Sequence, residues 1–335
     1  MNSHNLFQEL LEILNIKLEN INEDNFQEIF ESISKNLVEI MQSNEVDNIN
    51  QLNQEYENFN KRNYSRWKKG FDKLEMLRQI SIEAGMEFQK EFLKYTEYEN
   101  DPLLGVLMRQ HTNACRIAGE IIHLLKGGYS DGAMARWRTL FEIAVTSLVL
   151  NKHGKECAID YINHGKIKSI DGMLEYQKTV EEMKVEPYSK EEIDIAIALK
   201  EISKKETDFK WTQKYTSVGK MEKLREYVGL EKWSHLYKLA SKLIHADFYE
   251  MNSLMAMSEA KENMLLVGQS NSGMTEPAHI TAITLNQITS AFLTAYIKDE
   301  STKIDYKVSM LSLSLLKQDS DDVSKEFLEI DKNNR

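Results

Sequence analysis

The sequence predicts an all-α protein, a mostly antiparallel bundle of long helices with a helical hairpin in front of it. Proline and glycine are scarce, with 3 and 14 among 335 residues, while Glu, Lys, Leu, Ile and Met are abundant. This composition favours long helices. Apolar residues recur at alternating spacings of three and four, and no segment shows the period-two alternation that is typical of a half-buried strand.

The first 43 residues predict the helical hairpin. Apolar residues at helical spacing mark residues 3–21 and 24–41, and Asn22-Glu23-Asp24 would form the turn between them. The hairpin either packs on the main body or offers an arm to a protein partner or a second copy of the chain. Residues 44–63 are rich in Asn, Gln and Glu and form a polar linker or a solvated helix.

Residues 64–300 predict the main helical domain. Its first helix would run from Tyr64 to Tyr98, and Asp101-Pro102 has the N-cap and first-position proline of a second helix. The second helix would end at the glycine pair Gly127-Gly128, because glycine is costly inside a helix. The apolar residues that the first helix would turn inward are Trp67, Phe71, Leu74, Leu77, Ile82, Phe88 and Phe92.

The stretch Gly127–Leu150 predicts the central helix of this domain. Ser130 or Asp131 can cap its first turn, and a broad side of the helix is almost wholly apolar up to about Lys152. A further helix would follow over residues 155–184.

The next part of the chain has a helix start followed by an aromatic-rich loop. Ser189 and Glu192 have the spacing of a capping box. Phe209, Trp211 and Tyr215 lie in the polar loop that follows, and such aromatic residues usually hold a loop against a core.

Helical periodicity continues toward the C-terminus. It predicts helices over residues 219–227 and 231–249, a Met-rich helix over 251–267, and another helix from Thr275. Residues 301–335 predict one more short helix and then an acidic tail, around Asp319 to Asp322, that would fray.

Charge and cysteine content exclude several classes of protein. A net charge of -11 disfavours broad binding to a phosphate backbone, although a local basic patch stays open. Cys115 and Cys157 form no disulfide framework and no CxxC motif, which suits a reducing compartment. We expect no signal peptide, and the sequence has no apolar run of roughly 20 residues. We therefore expect a cytoplasmic protein with no membrane partner.

The central helix carries an unusual charged pair. Arg138 and Glu142 are four residues apart and therefore stack on one face of the helix. Removing either ion from water costs several kcal/mol unless partners replace the hydration. Three readings follow: the pair clamps neighbouring helices, it lines a charged pocket that orients a ligand or reacting group, or it is exposed.

A second group of polar residues occurs near residue 240. Tyr237, Ser241 and His245 are spaced by four and would form one stripe of one helix, where they can build a hydrogen-bonded chain. The Ser/His pair is not a hydrolase triad, because no nucleophile elbow accompanies it. A core histidine with satisfied hydrogen bonds is the alternative.

These motifs together resemble an uncharacterised bacterial helical family, the domain of unknown function 5677. The resemblance would cover Leu103 to Tyr296. It implies that the two polar helices pack together and unite their side chains in one site, and it implies no established activity. The motifs that carry it are Gly127-Gly128-Tyr129, Arg138 and Glu142 within RTLFE, Lys210-Trp211-Thr212, and Tyr237, Ser241 and His245 followed by Ala246.

A weaker likeness links the chain to the HEPN ribonucleases. Proteins of that helical class share an arginine and a histidine separated by four to six residues. The likeness implies that these two side chains act on the RNA phosphate without a metal ion. Arg116 and His123 match this spacing, but Lys238 stands at the corresponding position before His245. Arg138 from another helix could supply the missing cation.

The sequence predicts no metal and no cofactor. Glu120 and His123 have the Glu-x-x-His spacing of di-iron bundles, but no second such motif occurs in the chain. Glycine-rich phosphate loops, zinc spacings and dinucleotide fingerprints are absent from the sequence as well.

Two functions follow as expectations. The first is a binding, assembly or regulatory module with a polar site between helices, with bacterial defence as one setting. The alternative is a metal-independent ribonuclease or toxin-type effector. His245 would then be the acid/base and Arg138 the phosphate clamp, with Glu142 and Tyr237 orienting them and Ser241 a further candidate.

Overall fold

The computed structural model describes residues 26–202, 211–245, 254–262 and 265–333. Within these ranges the chain forms nine α-helices and no strand, which confirms the all-α prediction. No described helix has the length and apolar character needed to cross a membrane. The helices are α1 (Phe26–Phe92), α2 (Pro102–Lys126), α3 (Ser130–Met183), α4 (Lys190–Ile202), α5 (Gln213–Thr216), α6 (Met221–Tyr227), α7 (Ser234–Ile244), α8 (Thr275–Leu293) and α9 (Lys307–Asn333).

The chain divides into two compact units, Met1–Arg62 and Asn63–Arg335. In the first unit the described residues 26–62 are helical. The first helix and the turn of the predicted hairpin lie outside the described residues. For residues 44–63 the sequence predicted either a polar linker or a solvated helix. The structure has a helix there, and its side chains are mostly exposed.

In the second unit, α1 and α2 run antiparallel to each other. Asn63 lies early in this part of α1, and its Nδ2 donates to the last carbonyls of α2, Leu125 O at 2.9 Å and Lys126 O at 2.8 Å. Further along α1, Arg78 Nε donates to Cys115 O at 2.7 Å. Because Cys115 lies ten residues before Leu125 in α2, the two helices run in opposite directions. The two bonds from Asn63 reach carbonyls in the last turn of α2, which have no partner within their own helix.

Helix α3 lies at the centre of this unit, as its apolar sequence predicted. Trp137 and Phe141 are fully enclosed, and Trp137 Nε1 donates to Thr284 Oγ1 of α8 at 2.9 Å. The two helices predicted around residues 127–152 and 155–184 form one helix with a kink at Gly154, whose φ of 76° is readily adopted only by glycine.

Both helix starts that the sequence marked most clearly are confirmed. Asp101 Oδ1 accepts a hydrogen bond from Leu104 N at 2.9 Å, with Pro102 as the first residue of α2. Ser189 N donates to Glu192 Oε2 at 2.8 Å, and Glu192 N donates to Ser189 Oγ at 3.2 Å. This reciprocal pair is the capping box before α4.

The prediction of a frayed acidic tail was wrong. Helix α9 continues through Asp319 to Asp322 and ends at Asn333. Val323 and Phe327 follow these acidic residues and are fully enclosed. The Phe327 ring lies 5.6 Å from Trp67 and 5.7 Å from Phe71, measured between ring centroids. Burial of this apolar face holds the helix despite the negative charge on its other face.

The predicted Met-rich helix over residues 251–267 was also wrong. The described parts of this stretch contain only the 3-10 turn Met255–Met257. Asp131, in the first turn of α3, accepts hydrogen bonds from Met255 N at 2.8 Å and Ala256 N at 3.0 Å. These backbone groups bond to a side chain of another element and not to the next turn of a helix, because the loop folds back onto the start of α3.

Candidate functional site

The two polar helices that the sequence singled out lie against each other. Helices α3 and α7 run antiparallel, since Arg138 contacts Ser241 while Glu142, one turn later in α3, contacts Tyr237, one turn earlier in α7. Four of the five predicted site residues therefore meet.

Arg138 is the centre of this group. Its Nε donates to Ser241 Oγ at 3.1 Å, and one terminal nitrogen donates to Tyr237 OH at 3.0 Å and pairs with Glu142 Oε1 at 3.1 Å. The Ser241 hydroxyl in turn donates to Tyr237 O at 2.8 Å. The side chains of Arg138 and Glu142 keep 29% and 32% of their exposure, so the pair is partly and not fully desolvated. Hydrogen bonds from α7 replace part of its lost hydration.

Tyr237 fixes the position of the Glu142 carboxylate. Its hydroxyl donates to Glu142 Oε1 at 2.6 Å. Burial and, after it, the neighbouring Glu142 carboxylate raise the pKa of Tyr237 to about 12, while Arg138 opposes the shift. The phenol therefore stays neutral at physiological pH and keeps donating its proton to the carboxylate.

Arg225 of α6 belongs to the same group, and the sequence analysis missed it. Only 3% of this residue is exposed, and its guanidinium lies 4.4 Å from the centroid of the Tyr237 ring. Arg138 lies 5.0 Å from the same centroid. The Nε and one terminal nitrogen of Arg225 are buried without a hydrogen-bond acceptor, so the electron-rich ring supplies part of the stabilisation. A lone arginine in the short segment MEKLREY carries no pattern that predicts burial.

Glu142 also lines a cavity of about 730 Å³ between α2 and the two halves of α3. On the α2 side the wall includes Arg109 and Asn113, and on the far side it includes Tyr161 and Trp211. The Trp211 and Tyr161 rings pack edge to face at 5.0 Å, which confirms that this tryptophan holds its loop against the core. The cavity therefore combines an aromatic wall with a carboxylate whose Oε1 is already held.

The structure does not bring His245 into this group. Helix α7 ends at Ile244, and His245 is its C-cap residue, with φ and ψ of -93° and 11°. The His245 side chain is exposed. Its backbone N–H is shared between Ser241 O at 3.2 Å and Lys242 O at 3.1 Å. The predicted stripe is therefore broken after Ser241, because the helix that would have carried His245 one turn further stops there.

The residues considered for metal or HEPN-type chemistry lie on another face of α2. Arg116 and His123 line a second cavity with Glu120. Glu120 forms ion pairs with Arg116 and Arg136. In the ranges that the structure describes, no cluster of three or more His, Cys, Asp or Glu side chains is arranged to hold a metal ion.

The Tyr237 hydroxyl is the link that a mutation can remove with least disturbance. Tyr237→Phe deletes the donor to Glu142 and an acceptor of Arg138. Hydrogen bonds to charged groups contribute about 1.5–3 kcal/mol each when buried, and this site is partly exposed. We expect the free energy of unfolding, measured by urea titration at neutral pH, to fall by about 1–3 kcal/mol.

Tyr188→Phe is the control, because the Tyr188 ring is 40% exposed and its change should stay within about 0.5 kcal/mol. Equal losses in both variants would contradict the assignment.

The wild type should also lose stability between pH 10 and about 12, because the unfolded state releases the Tyr237 proton near pH 10 while the folded state retains it to about 12. The free energy of unfolding of Tyr237→Phe should fall less over this pH range than that of the wild type.

Comparison with known proteins finds one family that part of this chain resembles. Curated proteins and solved structures give no match. Residues 104–263 match the model of a family of unknown function, DUF5677, and this range contains Arg138, Glu142, Tyr237 and Ser241. The match ends before α8, earlier than the resemblance in the sequence had indicated, and the comparisons give no support to a HEPN likeness. The part of the chain from residue 104 to residue 263 is therefore similar to the DUF5677 family.

Proposed function

We propose that the region similar to DUF5677 is a binding module that takes a small polar molecule in the cavity beside Glu142. The observation that carries the proposal is that the two oxygen atoms of the Glu142 carboxylate differ in their hydrogen bonding. Glu142 Oε1 accepts from Tyr237 and Arg138, and no described residue donates to Oε2. Glu142 also lines the cavity. A carboxylate held by two donors is pre-organised to accept a hydrogen bond from a ligand.

The charges of the cavity wall favour a ligand that carries an amine. Glu142 on α3 would accept hydrogen bonds from an ammonium group. Arg109 on α2 donates one bond to Gly105 O at 2.8 Å and can offer its remaining N–H groups to a carboxylate. Tyr161, Ile162 and Trp211 supply the apolar part of the wall. A cavity with one anionic and one cationic side chain complements a zwitterion such as a free amino acid.

Thermal unfolding with a panel of free amino acids tests this function. We expect at least one member to stabilise the wild type, by about 2.7 kcal/mol at a concentration of one hundred times its Kd. Its N-acetyl derivative lacks the ammonium group and should not bind. Glu142→Gln retains the shape of the side chain but removes its charge, and should weaken binding by at least tenfold.

Glu175→Gln is the matched control, because Glu175 is an exposed carboxylate of the same helix, paired with Lys178. It should bind as the wild type does. The proposal fails if no free amino acid stabilises the wild type. It also fails if the N-acetyl derivative or Glu142→Gln binds equally well.

One observation favours a ribonuclease of a bacterial defence system as a second candidate. Arg138 contacts Ser241, and His245 follows Ser241 by one turn of chain. Under this candidate the exposed imidazole and the arginine would act on one RNA phosphate. Purified wild type should then cleave single-stranded RNA in the presence of a metal chelator, and His245→Ala and Arg138→Ala should not. Absence of cleavage by the wild type would exclude this candidate.

We also propose a cytoplasmic protein that pairs with a second copy of itself through α1. Both cysteines are free and buried, as in a reducing compartment. In the first unit Ile49, Leu52 and Tyr56 are 49%, 42% and 50% exposed. Their spacing of three and four is that of a coiled-coil seam. RNA could accompany such an assembly only under the ribonuclease alternative.

Light scattering of the full chain after size-exclusion chromatography tests the pairing. We expect a dimer or larger assembly for the wild type and a monomer for the double variant Ile49→Glu, Leu52→Glu. Gln54→Glu adds a charge outside the seam and should leave the mass unchanged. A monomeric wild type contradicts the proposal.

A further inference from the structure

A second cavity, of about 830 Å³, lies between α1 and α2 with Phe292 of α8 in its wall. It is formed by residues 78–89 of α1 and 108–124 of α2. No residue lines both this cavity and the one beside Glu142. Its volume lies within the range of small-molecule sites, so its lining can be examined as a site of its own.

Most of this lining is apolar and adaptable. Ile82 and Met86 contribute from α1, Met108 and Leu124 from α2, and Phe292 from α8. Methionine side chains are unbranched and polarizable, and they adjust to irregular ligands. These surfaces suit a flexible hydrocarbon chain.

Arg78 supplies a cation to the wall of this apolar cavity. Its Nε donates to Cys115 O at 2.7 Å, which ties the guanidinium to α2. Gly119 makes room for it, since a Cβ at this position would lie 3.1 Å from Arg78 Nε. No carboxylate among the described residues forms an ion pair with Arg78, so its terminal N–H groups are available to an anion.

The other polar residues of the wall do not cancel this charge. Glu120 is shared between Arg116 and Arg136. His111 is 4% exposed, and burial lowers its pKa to about 4. Burial raises the pKa of the Cys115 thiol to about 12. Both groups are neutral at physiological pH, so neither of them supplies Arg78 with a counter-ion.

We propose that this cavity binds a single-chain amphipathic anion, with its carboxylate or phosphate head on Arg78 and its hydrocarbon tail along Met86, Met108 and Phe292. An anionic head would complete the hydrogen bonding of the guanidinium, which favours paired oxygen acceptors. The tail would cover apolar surface that is otherwise open to water. This site is independent of the one proposed beside Glu142.

Isothermal titration calorimetry with decanoate, decyl phosphate and decanol tests the inference. Decanoate or decyl phosphate should bind the wild type. The anion with the lower Kd shows whether the cavity prefers a carboxylate or a phosphate head group. Arg78→Met keeps the apolar stem and should weaken binding of that anion by at least tenfold while leaving decanol unchanged. Arg62→Met removes an exposed arginine of α1 outside the cavity and should bind as the wild type does.

A second variant guards against a folding defect in Arg78→Met. Thr112 lies on the exposed rim of the cavity, and Thr112→Trp should weaken binding of the anion and of decanol together by filling the space. Glu142→Gln should leave anion binding unchanged, which separates this site from the amino-acid site. The inference is overturned if neither anion binds the wild type, if Arg78→Met binds them equally well, or if only anionic phospholipid vesicles are bound.

Discussion

A charged pair on a buried helix needs polar partners, and this requirement governs how α7 lies on α3. Arg138 and Glu142 stand on a helix whose neighbouring side chains, Trp137 and Phe141, are fully enclosed. Tyr237 and Ser241 supply the hydrogen bonds that the pair would otherwise take from water. Sliding α7 by one turn would remove both contacts and leave the ions with unmet hydration, so the register of the two helices is specified electrostatically as well as by packing.

Helix α2 separates two cavities of different character. Arg109 and Asn113 line the cavity that contains Glu142, while Met108, His111 and Thr112 line the one that contains Arg78. Residues three or four apart share a face of a helix, and residues one apart do not. Two cavities can therefore be built on one helix from interleaved residues. In the first, Glu142 and Arg109 present charges of opposite sign. In the second, Glu120 is paired with Arg116 and Arg136, and Arg78 has no ion-pair partner among the described residues. The two cavities would therefore select different ligands.

Several features of the site could be predicted from local spacing. Arg138 and Glu142 are four residues apart, and so are Tyr237 and Ser241; a helix places each pair on one face whatever else the chain does. His245 continues the same spacing but lies outside the group, because α7 ends at Ile244. Helix ends depend on competing tertiary contacts and are not determined by periodicity alone. Arg225 was missed for the related reason that burial of a single arginine depends on which ring packs over it.

The sequence by itself determined the helical class, the caps at Asp101 and Ser189, the interruption between residues 152 and 155 and the polar pairs on α3 and α7. Each follows from bonds or steric limits within a few residues of chain. Tertiary structure decided the rest. Asp131 accepts hydrogen bonds from the backbone at Met255, and this segment is not an α-helix. The rings of Trp67 and Phe71 pack on Phe327 and stabilise the acidic stretch of α9 as a helix. The physical reason is the same in both cases: these partners are far away in sequence, and only the folded chain brings their hydrogen bonds and apolar surfaces together.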